Sequence, residues 1–571
     1  MADNPVSSMT STIESSNLET ATTMFQKTSL NDAANSSVAA RDAGVSSSSS
    51  LPIGVASVAK SSPSAGSTAS SNKLKQYFSN SPQLEQPFDS IASFSSNTAT
   101  MNPAYMSPTD AFGIPSPDSF LTPATEQDVF TASLLSSDAD RRHDAWIPAD
   151  ITVKALKAME SNPPGIYFPE KDLLTMPGIA IKEDFGDPIK SLLRTYVGEE
   201  AASKRQVLNS SSVTQDDRGL RQLIAAGCYH AAVNLTTQLL TVYGQGEGRA
   251  GHPSKHTAHS IQLWFTRLAL LVKLRRYSLA EVECEQFGQL DAPDLYFEFY
   301  PELYGGRRGS MVPFSFRLLV AELPHYLGKH STSLDRLNSL LHTCHKIVGN
   351  LRAGLSECGE PADQLNAPMK DDSVKLWRNR TVRVMYSLTA VAASLKDYRL
   401  CGSLLHALLQ EDRPSCPGLY AALGRLHLHL GDIPAAQSCF NRYLEVSPSP
   451  PRHSPVQGLL HSAYIAMAGN HFSEAVDTLQ QALQHSPANP LVISNLGVSL
   501  VYTGRIRDAV SVVEAAVYAE PERMLHESLV LNLATMYELE SCNASANKIK
   551  LLELVAQHKG DSFAVAALKL H

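Results

Sequence analysis

The chain of 571 residues lacks several features that would assign it to a common class of protein. It has no apolar run near the roughly 20 residues that span a bilayer. Its net charge of −8 is small for this length, which excludes broad electrostatic attraction to nucleic acid or anionic lipid. The amino-terminal stretch has neither a basic start nor an apolar segment, so the sequence predicts no secretory signal.

Cysteine is also scarce. The eight cysteines form no C-x-x-C pair, and several of them occupy apolar positions of predicted helices. We interpret them as reduced core residues of a cytosolic protein.

Motifs of catalysis and cofactor binding are missing as well. There is no glycine-rich phosphate loop followed by Lys and Ser or Thr, and no nucleophile elbow. His252, His256 and His259 have the spacing of one helical face, but Gly and Pro interrupt the segment and no cysteine or carboxylate accompanies them. We interpret this segment as an exposed polar loop. The sequence therefore predicts no catalytic residue, no metal site, no cofactor and no enzymatic activity.

Residues 1–140 are rich in Ser, Thr, Ala, Asn and Pro and include the serine run Ser46–Ser50. Such a segment buries too little apolar surface to offset a backbone entropy of roughly 1–2 kcal/mol per residue. We predict a disordered regulatory arm. Candidate phosphosites precede a proline at Ser62, Ser81, Ser107, Ser116 and Thr122. The alternative is that these pairs reflect only a composition rich in serine and proline.

The sequence predicts an all-α fold for the remaining residues, 141–571. Residues 141–215 predict a partly helical connector and amino-terminal cap, and 216–571 predict an α-solenoid of helix pairs. Pro487 and Pro521 lie 34 residues apart and each closes one pair; the clearest repeats are 417–450, 456–489 and 490–523. Small residues are required where paired helices cross closely, and these are Gly424, Ala436, Ala463, Ala475, Gly497, Ala509 and Ala516.

One long connection has an unusual composition. Residues 296–310 combine five aromatics with two consecutive glycines and two consecutive arginines. Aromatics and Arg are enriched at interface centres, so we predict partner contacts at Tyr296, Phe299, Tyr300, Tyr304, Arg307 and Arg308. The alternative is that these aromatics fill the space between neighbouring repeats. The same stretch matches a basophilic kinase site at Ser310.

The first helix of each pair lines the inner groove of such an array. We predict that Arg425, Tyr464 and Tyr502 contact a partner there. Because the groove is largely apolar and aromatic, it suits a helix or an extended apolar segment better than a charged C-terminal tail.

The repeats resemble tetratricopeptide repeats, and further motifs narrow the resemblance. These motifs are Asp144–Pro148, Asp294–Pro301, Gly306–Phe314, Trp377–Arg378, Arg383–Ser387, His526–Ser528, Leu531–Glu540 and Gly560–Phe563. Together they are similar to the subunit 12 family of the trafficking protein particle (TRAPP) complex.

The resemblance implies a non-catalytic scaffold subunit of TRAPP III, a tethering complex and Rab exchange factor, in endoplasmic-reticulum-to-Golgi transport and autophagy. It implies the large subunits 8 and 11, and also 13, as partners, with a Rab-family GTPase and coat proteins contacted indirectly. Membrane association would occur only through the complex, and no nucleic acid is expected. The implied location is the cytoplasm, at the ER–Golgi intermediate compartment or Golgi periphery.

Two alternatives remain open at this point. One is a mitotic scaffold at kinetochores or in the nucleus, regulated by phosphorylation. The other is a chaperone-linked peptide-binding tetratricopeptide module.

Overall fold

The computed structural model describes residues 145–162, 168–181, 184–361, 367–411, 417–447, 454–540 and 543–570. Within these ranges the chain is helical, with three isolated β-bridges and no strand. The predicted all-α fold class is therefore confirmed. The predicted arm and its five Ser-Pro or Thr-Pro sites lie outside the described residues.

Contacts divide the described chain into two compact units. The N-terminal unit comprises the described residues up to Leu419 together with Ala556–Val565. The C-terminal unit comprises Tyr420–Val555 and the residues from Ala566 onward.

The helices follow one another as antiparallel pairs with short additions. The first twelve are α1 (Asp150–Ser161), α2 (Pro188–Tyr196), α3 (Glu199–Lys204), α4 (Asp217–Ala225), α5 (Tyr229–Val242), α6 (Ala258–Lys273), α7 (Tyr277–Glu285), α8 (Pro301–Tyr304), α9 (Phe314–Tyr326), α10 (His330–Arg352), α11 (Ala367–Ser394) and α12 (Tyr398–Glu411). The others are α13 (Pro417–Leu430), α14 (Ile433–Val446), α15 (Ser454–Ala468), α16 (Phe472–His485), α17 (Pro490–Tyr502), α18 (Ile506–Ala519), α19 (Pro521–Met524), α20 (Glu527–Glu540) and α21 (Ala544–His558).

The turn inside seven of the pairs has the same construction. One residue adopts a left-handed conformation, and the next N–H bonds back to a carbonyl five residues earlier, for example Arg505 N–H to Leu500 O at 2.9 Å. This Schellman arrangement satisfies carbonyls that the helix end would leave unpaired. The left-handed residues are Gly227, Arg275, Gly328, Lys396, Gly431, Asn470 and Gly504.

The core of the N-terminal unit includes a cluster of aromatic residues and a fully buried ion pair. Trp264, Phe287 and Phe316 are each at most 1% exposed, and the Phe287 ring packs edge-on against both neighbours. Between α6 and α7, Arg267 Nε donates to Glu283 Oε2 at 2.6 Å and Arg267 Nη2 to Glu283 Oε1 at 2.8 Å. Both charged side chains are fully buried, so each depends on the other to remain there.

An extended segment, residues 175–181, packs against the C-terminal end of α7. The Gly178 N–H donates to Gln286 Oε1 at 2.8 Å, and the Ala180 N–H donates to Glu283 Oε1 at 3.3 Å. A Cβ on Gly178 would lie 2.0 Å from the Ala250 nitrogen, so only glycine fits. Backbone N–H groups of this segment thus satisfy polar side chains at the end of α7.

Pro324 lies in the last turn of α9 and removes one helical donor. The carbonyl that it would have bonded belongs to Val320, and Arg336 Nη1 donates to that oxygen at 3.0 Å. A side chain from α10 therefore compensates for the proline.

The core of the C-terminal unit depends on small residues at the helix crossings. A Cβ on Gly424 would lie 2.4 Å from Phe440 Cε1, and one on Gly497 would lie 2.8 Å from Val513 Cγ2. The alanines at the other crossings are at most 2% exposed: Ala436, Ala463, Ala475, Ala509 and Ala516. Helix axes approach closely because nothing larger stands between them.

Candidate partner-binding site

The aromatic segment, residues 296–310, folds against the N-terminal unit. Tyr296 is 1% exposed and its hydroxyl donates to the Asp291 carboxylate. Tyr300 is 8% exposed and its hydroxyl oxygen accepts the His256 N–H at 3.1 Å. The prediction that these two tyrosines contact a partner is wrong, because their rings and hydroxyls serve internal packing and hydrogen bonding.

Phe299 and Tyr304 are partly buried in the same segment. Phe299 meets Tyr300 edge-on with 4.9 Å between ring centroids, and Tyr304 meets Phe297 in the same way at 4.9 Å. The Tyr304 hydroxyl oxygen also accepts the Ala258 N–H at 3.4 Å. These contacts agree with the alternative interpretation, in which the aromatics fill space between repeats.

Ser310 is buried, with 2% of its surface exposed. Its Oγ accepts from Arg317 Nη2 at 2.8 Å and from the Val312 N–H at 3.2 Å. Burial lowers the pKa of the Arg317 guanidinium, which lies 4.1 Å over the Trp146 ring. A kinase cannot reach this hydroxyl in the folded chain, so the prediction of a phosphosite at Ser310 is wrong.

The exposed side of the segment includes Leu303 and Arg308, and Arg307 is partly exposed beside them. Arg307 lies with its Cζ 4.2 Å over the centre of the Phe297 ring, which fixes the side chain by a cation–π contact. Arg308 is exposed, with Nη2 3.4 Å from Glu160 Oε1, and Leu303 is 40% exposed. A partner can therefore reach Leu303 and Arg308.

Beneath the segment lies a buried polar network that the sequence analysis missed. His256 is fully buried, with Nε2 2.7 Å from Thr175 Oγ1, and this hydroxyl donates to Asp294 Oδ2 at 2.8 Å. The Nδ1 of His256 lies 3.3 Å from Gln245 Nε2. The interpretation of an exposed loop is therefore wrong for His256, which joins three distant stretches of chain.

The other two histidines of that segment do not join the network. His252 is exposed, and His259 is half-buried with Nε2 3.6 Å from Asp217 Oδ1. Over the described residues, no cluster of three or more His, Cys, Asp or Glu side chains is arranged to hold a metal. In the same ranges, no helix has the length and hydropathy of a membrane span.

In the C-terminal unit the predicted groove residues have different environments. Arg425 is 7% exposed and Tyr464 is 4% exposed, so the Tyr464 ring belongs to the packing rather than to a contact surface. Tyr502 is 38% exposed and stacks in parallel on Phe472, with 4.5 Å between ring centroids.

A second histidine, His461 of α15, was also missed. It is 4% exposed, lies parallel to the Phe440 ring at 4.3 Å and meets Tyr443 edge-on at 4.8 Å. Burial and then the Arg425 charge lower the pKa of His461 to about 3. One signal was present in the sequence: Asn495, 34 residues later, is likewise a polar residue at a core position, and it is 4% exposed.

Comparison with known proteins places this geometry in context. No family model matches the chain. The chain is 43% identical over 451 residues to trafficking protein particle complex subunit 12 of Homo sapiens, which covers 78% of this chain and 61% of the human protein. The chain is a relative of subunit 12. The resemblance stated from the motifs is thus confirmed.

The subunit 12 protein of Mus musculus gives the same result, with 43% identity over 78% of this chain and 56% of the mouse protein. The chain therefore spans about six-tenths of the length of these relatives.

Solved structures of tetratricopeptide repeat proteins also match parts of the chain. A thermophilic protein of Thermus thermophilus matches with 18% identity and a TM-score of 0.25, over 33% of this chain and all of that one. A protein of Parabacteroides merdae matches with 13% identity and a TM-score of 0.31, over 55% of this chain and 96% of that one.

Proposed function

We propose that this chain is a non-catalytic assembly subunit of the trafficking protein particle complex. The observation that carries the proposal is the 43% identity over 451 residues to proteins named as subunit 12 of that complex. Stacked helix pairs support it, since each pair leaves surface for a neighbour and the fold uses such surfaces for binding.

Within that complex we place the chain in the TRAPP III form, which would act in endoplasmic-reticulum-to-Golgi transport and in autophagy. Its partners would be the large subunits 8 and 11, with subunit 13 nearby. Contact with a Rab-family GTPase and with coat proteins would be indirect, through the assembly. The chain would then be found in the cytoplasm at the Golgi periphery.

The accessible part of the aromatic segment is the contact surface that we propose in the N-terminal unit. Leu303 supplies exposed apolar area and Arg308 an exposed guanidinium, and both belong to a segment whose aromatic side chains pack into the N-terminal unit. A preformed surface of this kind binds with little loss of conformational entropy.

Affinity purification of the tagged full-length chain from animal cells tests the assembly role. We expect quantitative mass spectrometry to recover the small core subunits together with the large ones. Failure to recover any subunit of the complex would refute the assembly role.

A double variant tests the surface. Leu303→Asp with Arg308→Glu should lower recovery of the large subunits at least tenfold, with unchanged thermal stability. Val242→Asp is the matched control, because Val242 is 83% exposed in the same unit but lies outside the aromatic segment. Equal recovery with both variants would remove the segment from the interface.

A further inference from the structure

Residues 556–565 belong to the N-terminal unit, although they are far from its other residues in the sequence. This segment, here called the clasp, contains the Gly560–Phe563 motif. A Cβ on Gly560 would lie 2.4 Å from Gly227 O, so the two backbones meet where only glycine fits. The Ser562 N–H donates to the same oxygen at 3.2 Å. The clasp therefore lies directly against the turn between α4 and α5.

Asp561 of the clasp caps the amino-terminal end of α5. The first N–H groups of a helix have no partner inside it, and Cys228 at the N-cap position provides no side-chain hydrogen bond. The Asp561 carboxylate accepts two of them instead: the His230 N–H donates to Oδ1 and the Ala231 N–H to Oδ2, each at 3.0 Å. Its negative charge also suits the positive end of the helix dipole. The clasp therefore supplies the cap that the local sequence of α5 lacks.

The clasp also lies against the Cys228 thiol. Cys228 is 2% exposed, and burial followed by the charge of Asp561 raises the pKa of its thiol to about 11. A backbone hydrogen bond from Asp561 reaches the same sulfur. Reaction with an alkylating reagent needs an accessible thiolate. The reactivity of Cys228 therefore reports whether the clasp is in place.

The clasp itself buries little apolar surface. Within residues 556–565 only Asp561 and Phe563 are buried, whereas nine residues of α5 are buried. Hydrogen bonds hold other parts of the clasp, for example Arg205 Nη1 to Lys559 O at 3.1 Å. Segments with few buried apolar contacts open at a lower free energy than the core beside them.

We propose that the clasp opens while the rest of the N-terminal unit stays folded, and that its opening frays the first turn of α5 and uncovers Cys228. When the clasp is open, the His230 and Ala231 N–H groups lose their acceptor, so the first turn of α5 loses its cap. The aromatic cluster around Phe287 lies on other helices and keeps its packing. This conformational device goes beyond the proposed function, because it concerns the folded chain alone and does not depend on the complex.

Two variants of the full-length chain open the clasp by different means. Asp561→Ala removes the cap, and Gly560→Ala keeps the carboxylate but places a Cβ 2.4 Å from Gly227 O. Iodoacetamide labelling without denaturant is followed by mass spectrometry of the peptides. Cys228 should react about fivefold faster or more in both variants, since losing a helix cap shifts the opening equilibrium by about that factor. Ser562→Ala is the matched control, because it keeps the clasp backbone and should leave the rate unchanged.

Cys344 of α10 separates opening of the clasp from unfolding of the unit. It is fully buried in the same unit and lies outside the clasp, so its labelling rate should not change. Equal acceleration at Cys228 and Cys344 would overturn the proposal, because the unit would then open as a whole. Unchanged labelling of Cys228 in both variants would overturn it too. So would acceleration in one variant alone: with Asp561→Ala, the lost charge beside the thiol would explain it, and with Gly560→Ala, the cap would not be what holds the clasp.

Discussion

The two units reach stability by different physical routes. In the C-terminal unit, the pairs from α13 to α18 use the same packing, with glycine or alanine where the helices cross and larger apolar residues between pairs. The N-terminal unit adds specific polar contacts between distant stretches, such as the Arg267–Glu283 pair and the Thr175–His256–Asp294 network. A periodic sequence pattern therefore accounts for the packing of the C-terminal unit more completely than for that of the N-terminal unit. Four sets of variants test this contrast, from the largest expected effect to the smallest.

The first variant removes the buried ion pair of the N-terminal unit. Glu283→Gln leaves the Arg267 guanidinium buried with its charge uncompensated, so we expect a loss of about 3–5 kcal/mol in the free energy of unfolding. Urea unfolding followed by circular dichroism measures it. Glu281→Gln on the same helix breaks a half-exposed contact to Lys329 at 2.6 Å and should cost less than about 1 kcal/mol. Equal losses would show that burial does not distinguish these pairs.

The second prediction concerns pH and the C-terminal unit. The pKa of His461 falls from an ordinary 6.5 to about 3 in the folded chain, because burial opposes its charged form. The unfolded state therefore takes up a proton first as the pH falls below 6.5, and stability decreases until the pH reaches about 3. Between pH 7 and pH 5 this amounts to about 2 kcal/mol.

His461→Phe keeps a ring against Phe440 and should abolish that part of the pH dependence. Urea midpoints at pH 7 and pH 5 for both proteins provide the measurement. His485→Phe is the control, since His485 is exposed near the end of α16. If His461→Phe loses stability between the two pH values as steeply as the unaltered chain, the titration of His461 is not the cause.

The third prediction concerns the crossing of α17 and α18. A Cβ on Gly497 would lie 2.8 Å from Val513 Cγ2 and 3.0 Å from Met536 Cε. Overpacking in Gly497→Leu should therefore lower the free energy of unfolding by about 1–3 kcal/mol. Gly349→Leu on α10 is the matched control: no atom lies within 4 Å of its added Cβ, so stability should stay the same or rise. If Gly497→Leu is as stable as the unaltered chain, α17 and α18 do not cross at Gly497.

The smallest effects are expected at the left-handed turn residues. Gly504 has a φ of +79°, so Gly504→Ala should lower the free energy of unfolding by about 1 kcal/mol. Lys396 has a φ of +58°. Lys396→Gly should raise the free energy of unfolding by up to about 1 kcal/mol, because glycine adopts this conformation without strain. Thermal denaturation of the two variants measures the direction of each change in stability. Changes of the same sign would mean that backbone conformation does not control these turns.

The sequence by itself determined the succession of helix pairs and the small residues at their crossings. Apolar spacing and turn chemistry act over neighbouring residues, so a local pattern carries them, as at Gly424 and Gly497.

Only the tertiary structure decided which polar and aromatic residues become buried. The tyrosines at 296 and 300 resembled a contact surface in composition, yet both pack inside the N-terminal unit. His256 depends on Thr175 and Asp294, which lie 81 residues before it and 38 residues after it. Such relations arise from the meeting of distant segments, and no local pattern encodes which partner each group will find.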